Sequence, residues 1–305
     1  MDLQKIKIGV LMGGTSAERE VSLVSGRAVY TALEQTGYNP VSVDINTSEP
    51  DKIKEIINQA GIDAVFIALH GGQGEDGTIQ SILEEMDIPY TGSGPRACAR
   101  AMDKIKSHRI LEEHNITVPG WQVYSSELVE NNGLVFPLVI KPSNQGSSIG
   151  LSIVNVKKDL NQALKDAQAW SKDIIIEKYL RGPEITVGIL GDQILPVIQI
   201  KPTNKFYDYQ AKYESGKTTY QVPAPLPEDI YAQVQDLGLA AFKALGCRVF
   251  SRVDMIYTDD NQIAVLEVNT VPGLTATSLV PKAARAAGIS FEELCSKIIE
   301  YSLKK

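Results

Sequence analysis

The chain has 305 residues, 43% hydrophobic, 22% charged and 7% aromatic, with 30 Lys and Arg against 37 Asp and Glu for a net charge of −7. That length and apolar fraction suit two or three domains, each with a buried core. An acidic chain without a long basic run is a poor candidate for sequence-independent nucleic-acid binding, which runs on counterion release by Lys and Arg, and no apolar stretch approaches the roughly 18–20 residues that cross a bilayer.

The N-terminus leads straight into an apolar run at 6–12, which reads as a first strand and not as a signal peptide. Cys98, Cys247 and Cys295 are far apart and form no Cys-x-x-Cys pair, and His70, His108 and His114 are the only histidines. Neither a disulfide framework nor a zinc knuckle is indicated, so a soluble, reduced, cytoplasmic protein is expected. Strands are expected at 6–12, 40–45, 64–69 and 89–91, alternating with helices at 20–36, 51–60 and 78–86. This alternation predicts a parallel sheet with helices on both faces, with ligands beyond the carboxyl ends of its strands. The Gly-rich turns after Met12 and after His70 fall at those ends.

A helical segment follows at roughly 95–115. After Pro119-Gly120 the pattern changes to strands at 137–141, 149–156, 174–180, 184–190 and 193–199, with a helix at 158–171. Residues 201–223 lack apolar periodicity, and a loop of that length inside an enzyme is more often a lid than a linker. A helix at 228–245, a hairpin and a last helix at 291–303 complete the chain. The expected organisation is an N-terminal α/β domain at 1–95, a central part at 96–184 and a C-terminal part at 185–305, the latter two of α+β character.

The hairpin carries the strongest chemical signal. If Tyr257 faces Ala264 across the turn, Asp254 faces Glu267 and Arg252 faces Asn269, all on one face. Carboxylates directly opposite each other repel, so a positive group should lie between them. Asp, Glu and Asn offer only oxygen, which selects a hard cation such as Mg²⁺, and Arg252 adds a fixed charge where an oxyanion could develop. A solvated face with an Arg–Asp salt bridge is the alternative. Against it, the strand breaks right after Asn269, at Thr270-Val271-Pro272-Gly273.

Leu138-Val139-Ile140-Lys141 delivers a lysine to the small-residue loop 142–150, whose N–H groups could form an anion nest, although no Walker A pattern is present. Lys104 and Lys212 are further phosphate candidates. The segment Glu177-Lys178-Tyr179-Leu180, followed by Glu184, reads either as a hinge that meets a nucleotide base or as an ordinary strand. Asp44 at the end of the second strand tempts a dinucleotide-binding reading. The first loop lacks the G-x-G-x-x-G spacing, however, and Glu18 would repel a pyrophosphate. Glu18 suits an amino group or serves as a helix-dipole partner, and His70 is either a satisfied core histidine or a pocket group.

Taken together, Met12-Gly13-Gly14-Thr15-Ser16-Ala17-Glu18-Arg19-Glu20-Val21-Ser22, Ala68-Leu69-His70-Gly71, Gly74-Glu75-Asp76-Gly77-Thr78 and Lys141-Pro142 with Gly146-Ser147-Ser148 resemble the D-alanine–D-alanine ligase family. So do Phe206-Tyr207-Asp208-Tyr209, Ala211-Lys212-Tyr213, Arg252-Val253-Asp254, Glu267-Val268-Asn269-Thr270 with Pro272-Gly273, and Ser278-Leu279-Val280-Pro281. The resemblance runs in order from about residue 6 to residue 303. It implies the ATP-grasp fold, with a Rossmann-like parallel-sheet domain followed by two parts that clamp ATP.

It also implies a reaction for peptidoglycan precursor synthesis. ATP phosphorylates the carboxylate of one D-alanine, and the amine of a second displaces phosphate through a tetrahedral intermediate. Two Mg²⁺ ions, replaceable by Mn²⁺, would lie on Asp254, Glu267 and Asn269. Lys104, Lys141, Ser148 and Lys212 would meet phosphates, and Glu177, Lys178, Tyr179, Leu180 and Glu184 the adenosine. Glu18 and His70 would receive the first D-alanine, Arg252 and the Gly273 N–H the oxyanion, and Ser278 with the Leu279 N–H the second carboxylate. Ser147 and Tyr213 would join Glu18 in tying the lid shut over an intermediate that water would destroy. Tyr213 is the family's usual residue for D-alanine as acceptor, whereas relatives that use D-lactate differ in the lid. A homodimer through the N-terminal domain is expected, without nucleic acid or membrane partners.

Overall fold

The computed structural model describes residues 3–124, 134–202 and 218–303. The first apolar run forms β1 (Lys7–Gly13), followed by α1 (Arg19–Gln35), β2 (Asn39–Ile45), α2 (Pro50–Ala60), β3 (Ala64–Ile67) and α3 (Thr78–Glu85). β1 lies at the centre of a parallel sheet ordered β2-β1-β3. Where a strand was expected at 89–91, only a parallel bridge from Tyr90 to Val65 continues the sheet. Leu11, Ile67, Ile79 and Leu83 fill one face. On the other face Ile8, Val10 and Phe66 share a buried cluster with Phe250, Leu274, Val280 and Ile298. The two ends of the chain therefore enclose one core, which places the β1 and β3 turns against residues beyond 250.

The expected helix at 95–115 is two helices, α4 (Pro95–Met102) and α5 (Lys104–Glu113). Asp103 divides them. Its backbone is extended (φ −80°, ψ 100°) and its carboxylate accepts the N–H groups of Ile105 and Lys106. This is an N-cap, the role in which Asp competes best with helix continuation. The break turns Lys104 inward as the first residue of the new helix.

An antiparallel sheet follows, ordered β4 (Trp121–Val123), β7 (Ile174–Lys178), β5 (Leu138–Pro142) and β6 (Ser152–Val154), with α6 (Leu160–Gln168) packed on it. β6 is shorter than expected because Ser147, Ser148 and Gly150 adopt positive φ values of 50°, 60° and 70° and keep the preceding residues in a loop. The last sheet runs β11 (Thr218–Gln221), β10 (Ile198–Pro202), β8 (Glu184–Leu190), β12 (Phe250–Tyr257) and β13 (Ile263–Asn269), with β9 (Gln193–Ile194) also paired to β8. The ends of the expected lid at 201–223 are thus a ladder, in which Lys201 pairs with Thr219. Lys212, Tyr213 and the Phe206–Tyr209 motif lie outside the described residues. α7 (Glu228–Ala244) covers this sheet, and α9 (Phe291–Leu303) closes the chain.

One helix, α8 (Leu279–Ala286), was not anticipated, because Pro281 reads as a breaker. Proline is tolerated there because the first turn of a helix has no intrahelical partner for its N–H groups.

Candidate active site

A cavity of about 430 Å³ opens where the three sheets meet. Its walls bring together Glu18, His70, Lys104, Ser147, Arg252, Glu267, Asn269, Gly273, Ser278 and Leu279, residues from every part of the chain. Lys141, Ser148, Glu177, Lys178, Tyr179, Leu180, Glu184 and Asp254 lie outside that lining.

The hairpin has the expected pairs at its cleft end, Arg252 with Asn269 and Asp254 with Glu267. A β-bulge between Asp254 and Met255 then shifts the ladder, so that Tyr257 faces Ile263 and not Ala264. The bulge leaves Val253, Met255 and Val268 in the core while the four polar residues keep a common, partly exposed face. Arg252 lies along Asp254, with Nε 2.8 Å from Oδ1 and a terminal nitrogen 2.7 Å from Oδ2. Thr186, on the neighbouring strand, donates its hydroxyl to the same Oδ1 at 2.6 Å. The Lys104 ammonium stands 3.5 Å from Glu267. Asn269 Oδ1 accepts the N–H of Val271 at 3.1 Å, a local turn that ends the strand.

Among the described residues no three His, Cys, Asp or Glu side chains converge as a closed metal cage. The donor set is two carboxylates and an amide, all oxygen, beside Lys104. That suits a hard cation whose shell is completed by substrate phosphate oxygens and water, the usual habit of Mg²⁺.

On the central sheet Lys141 and Glu177 are buried at 8% and 2% exposure. Lys141 Nζ is 2.8 Å from Glu177 Oε1, and His108 Nε2 is 2.9 Å from the same oxygen. Burial alone would raise the Glu177 pKa, but Lys141 and His108 outweigh it and hold the carboxyl at about 2. Lys104 donates to the Gln145 carbonyl at 2.7 Å, and the Lys104 backbone N–H donates to Ser143, which ties α5 to the small-residue loop. Burial pushes the Lys104 ammonium below the ordinary lysine value, an effect that Glu267 opposes. The Lys178 and Tyr179 N–H groups are committed to the Gly120 and Pro137 carbonyls, so those two donors are not available to a base.

Glu18 ends the β1 loop at the start of α1, 6% exposed. Ser147 donates its hydroxyl to Glu18 Oε1 at 2.5 Å, which joins the central sheet's loop to the N-terminal domain. Consecutive left-handed residues are uncommon outside glycine and cost energy, and here the conformation aims Ser147 at Glu18. Gly71, at φ +67°, leaves room for the same carboxylate, because a Cβ there would lie 2.6 Å from Glu18 Oε2. Asp44, the ribose candidate of the dinucleotide reading, is instead gripped by Arg19 through both oxygens at 2.9 and 2.8 Å.

His70 is both a pocket group and a satisfied core histidine. It lines the cavity, yet its Nδ1 lies 3.1 Å from the Val271 carbonyl and its Nε2 2.8 Å from Ser25 Oγ. A carbonyl only accepts, so Nδ1 donates. Ser25 Oγ meets Nε2 on its other side and faces the Leu274 N–H at 3.4 Å. This chain fastens the 271–274 loop, which carries Gly273, to the N-terminal domain. Ser278 is the N-cap residue of α8, and its hydroxyl lies 2.8 Å from that of Thr275. A Cβ on Gly273 would stand 3.0 Å from Ser278 Oγ, so the two N–H-bearing segments approach closely. The Leu279 N–H opens a helix whose dipole favours an anion.

Sequence reasoning missed Ser25, His108, Thr186 and Thr275. Each acts on a residue distant in sequence or through a hydroxyl, and hydroxyls carry no periodic signal. His108 alone had a local cue, standing four residues after Lys104 on one helix face.

Comparison with known proteins identifies the relatives of the chain. The family model described as D-ala D-ala ligase C-terminus matches residues 110–300, and that described as D-ala D-ala ligase N-terminus matches residues 7–51 and 46–93. The D-alanine–D-alanine ligase of Syntrophotalea carbinolica is 46% identical over 98% of this chain and 96% of its own length, and that of Clostridium botulinum Eklund 17B is 43% identical over 98% and 99%. Among solved structures, the Bacillus anthracis D-alanine–D-alanine ligase complexed with ATP superposes with a TM-score of 0.86 at 38% identity, covering 98% of both chains. The VanG D-Ala:D-Ser ligase of Enterococcus faecalis gives a TM-score of 0.83 at 31% identity, covering 98% of this chain and 99% of its own. The chain belongs to the D-alanine–D-alanine ligase family, with its ATP-grasp fold.

Proposed function

We propose that this protein joins two D-alanine molecules at the expense of ATP, releasing ADP and phosphate, for peptidoglycan precursor synthesis. The observation that carries the reading is the common cavity of Glu18, Arg252, Gly273 and Ser278, whose walls also include Lys104 and Glu267.

Glu18 would hold the ammonium group of the first D-alanine. The γ-phosphoryl group passes to that molecule's carboxylate, and ADP leaves. The amine of the second D-alanine then forms the peptide bond as the carbon–oxygen bond to phosphate breaks. Arg252 and the Gly273 N–H would stabilise the charge on the carbonyl oxygen, which is greatest in the transition state. The α8 terminus at Ser278 and Leu279 would hold the second carboxylate, and His70 would act by fixing the 271–274 loop. Lys104, Lys141, the Ser148 loop and Lys212 would bind phosphates. Glu177, Leu180 and Glu184 would face the adenosine, with Lys178 and Tyr179 contributing groups other than their N–H.

Asp254, Glu267 and Asn269 would hold two Mg²⁺ ions, or Mn²⁺ in their place, which when bound neutralise the triphosphate during transfer. Tyr213 and the Ser147–Glu18 contact would close the lid and exclude water. The division at 95 and 184 into substrate-binding and nucleotide-clamping parts, a homodimer and a cytoplasmic location complete the reading. No described helix is long and apolar enough to cross a membrane.

A coupled assay for ADP with D-alanine, L-alanine, D-serine and D-lactate tests the assignment. D-alanine alone should release ADP and yield the dipeptide at neutral pH. Preferential consumption of D-serine or D-lactate beside D-alanine would move the chain to a different acceptor class.

A further inference from the structure

Glu177 sits under the cleft in a place where water does not reach, and a buried carboxylate needs firm partners. Among the described residues it has two, both on one oxygen. Lys141 approaches Oε1 from the adjacent strand β5 at 2.8 Å, and His108 approaches it from α5 at 2.9 Å. His108 is 0% exposed and its ring is fixed edge-on against Trp121, with centroids 5.6 Å apart and planes at 89°. Trp121 itself pairs with Glu177 in the sheet and donates its Nε1 hydrogen to Glu112. Among the described residues Nδ1 of His108 has no partner, and Nε2 meets Glu177 as a 2.9 Å ion contact outside the geometry of a directed hydrogen bond. An unpaired buried nitrogen costs stability that an aliphatic side chain would spare, so packing alone does not account for a histidine here.

The placement follows from the helix. Asp103 caps α5, and Lys104 and His108 stand four residues apart on its buried face. One end of α5 thereby reaches Glu267 and the Gln145 carbonyl, while the next turn reaches Glu177.

We propose that His108 is a positioning residue for the nucleotide: through its contact with Glu177 it fixes the carboxylate, and hence the Lys141 ammonium, in the orientation that ATP meets. This rests on the reading of Lys141 and Glu177 as nucleotide contacts. Lys141 carries its charge on a flexible four-carbon stem, and Glu177 tethered from both sides gives that charge one address.

The test uses the whole enzyme and a near-isosteric pair. His108→Gln keeps an N–H donor able to reach the carboxylate, whereas His108→Met fills the space without one. His108→Met should raise the KM for ATP, and the Kd for a non-hydrolysable ATP analogue by calorimetry, about tenfold, from loss of one buried contact to the carboxylate. The KM for D-alanine should stay within about twofold, and His108→Gln should recover most of the loss. A purely structural role predicts instead that Met is tolerated at least as well as Gln, or that both variants lose Tm and D-alanine affinity together. Either result overturns the proposal. Lys141→Ala serves as the reference. If it weakens ATP while both His108 variants bind normally, the positioning role alone falls, and if it leaves ATP binding unchanged, the nucleotide reading falls with it.

Discussion

Two clusters of charged side chains lie on different sheets, one on the central sheet and one on the C-terminal hairpin. On the central sheet, Glu177 is sealed between Lys141 and His108, and its charge is balanced before any ligand arrives. On the hairpin, Asp254 and Glu267 are partly exposed, and their balancing groups are Arg252 and Lys104. Those two cations have tasks of their own in the proposed reaction. The first cluster is a finished fixture that sets a shape. The second is a provisional arrangement, because Arg252 holds Asp254 through both oxygens and a cation ligating Asp254 would compete with it for them. Both clusters are costly to break, but Arg252 and Asp254, at 13% and 17% side-chain exposure, keep more contact with solvent than Glu177 at 3%, so the hairpin is the easier of the two to rearrange.

The largest way to break this comparison is Arg252→Ala. The variant should lose about 10²–10³ in kcat, as removal of a single oxyanion donor does elsewhere. It should also leave the midpoint of a Mg²⁺ titration unchanged or lowered, since the competitor for Asp254 is gone. A loss of turnover below threefold would remove Arg252 from the oxyanion site. A Mg²⁺ midpoint that rises would show that Arg252 supports the metal site and does not compete with it.

A smaller effect is expected at the seam between the ends of the chain. Ser25 links His70 to the Leu274 N–H, and Ser25→Ala leaves the imidazole Nε2 buried without its partner. The cost in stability should be about 1–3 kcal/mol, read from urea unfolding. If the 271–274 loop depends on this anchor, kcat should fall while the KM for ATP holds. A variant with native kcat and native stability would show that the loop is held by its other contacts.

Much of this arrangement was legible beforehand because strands obey a period of two. Arg252, Asp254, Glu267 and Asn269 were placed on one face by counting, and the resemblance supplied their tasks. The bulge was not legible, since nothing in Val265-Leu266-Glu267 marks the point where one strand takes an extra residue. The split at Asp103 was missed for another reason. Alternative N-caps are scattered along any polar helix, and only the packing of Lys104 against the Ser143–Gln145 loop selects this one. The helix at Leu279–Ala286 was hidden by Pro281, a residue whose meaning reverses between the first turn and the interior. His108 illustrates the general limit. A partner so far along the chain is brought near by the packing of α5 against the central sheet, and the reading of one segment cannot supply it.

The smallest expected effect separates the two clusters by pH. Glu177 is held at about 2 against an ordinary 4.5, so its ionised form is favoured in the folded protein. Its contribution is complete above about pH 4.5 and is lost progressively as pH falls through the folded value, because the unfolded chain takes up the proton first. Glu177→Gln should therefore be less stable than the native protein at neutral pH, yet its Tm should fall less steeply between about pH 5 and pH 3. The difference in the acid limb should amount to a few degrees by calorimetry, as roughly 1 kcal/mol does for a chain of this size. The slope is the informative quantity, since the neutral substitution also strands Lys141 beside an amide and lowers the whole curve. Parallel acid limbs in the two proteins would mean that Glu177 takes up its proton alike in the folded and unfolded chains, and the central cluster would then be as provisional as the hairpin.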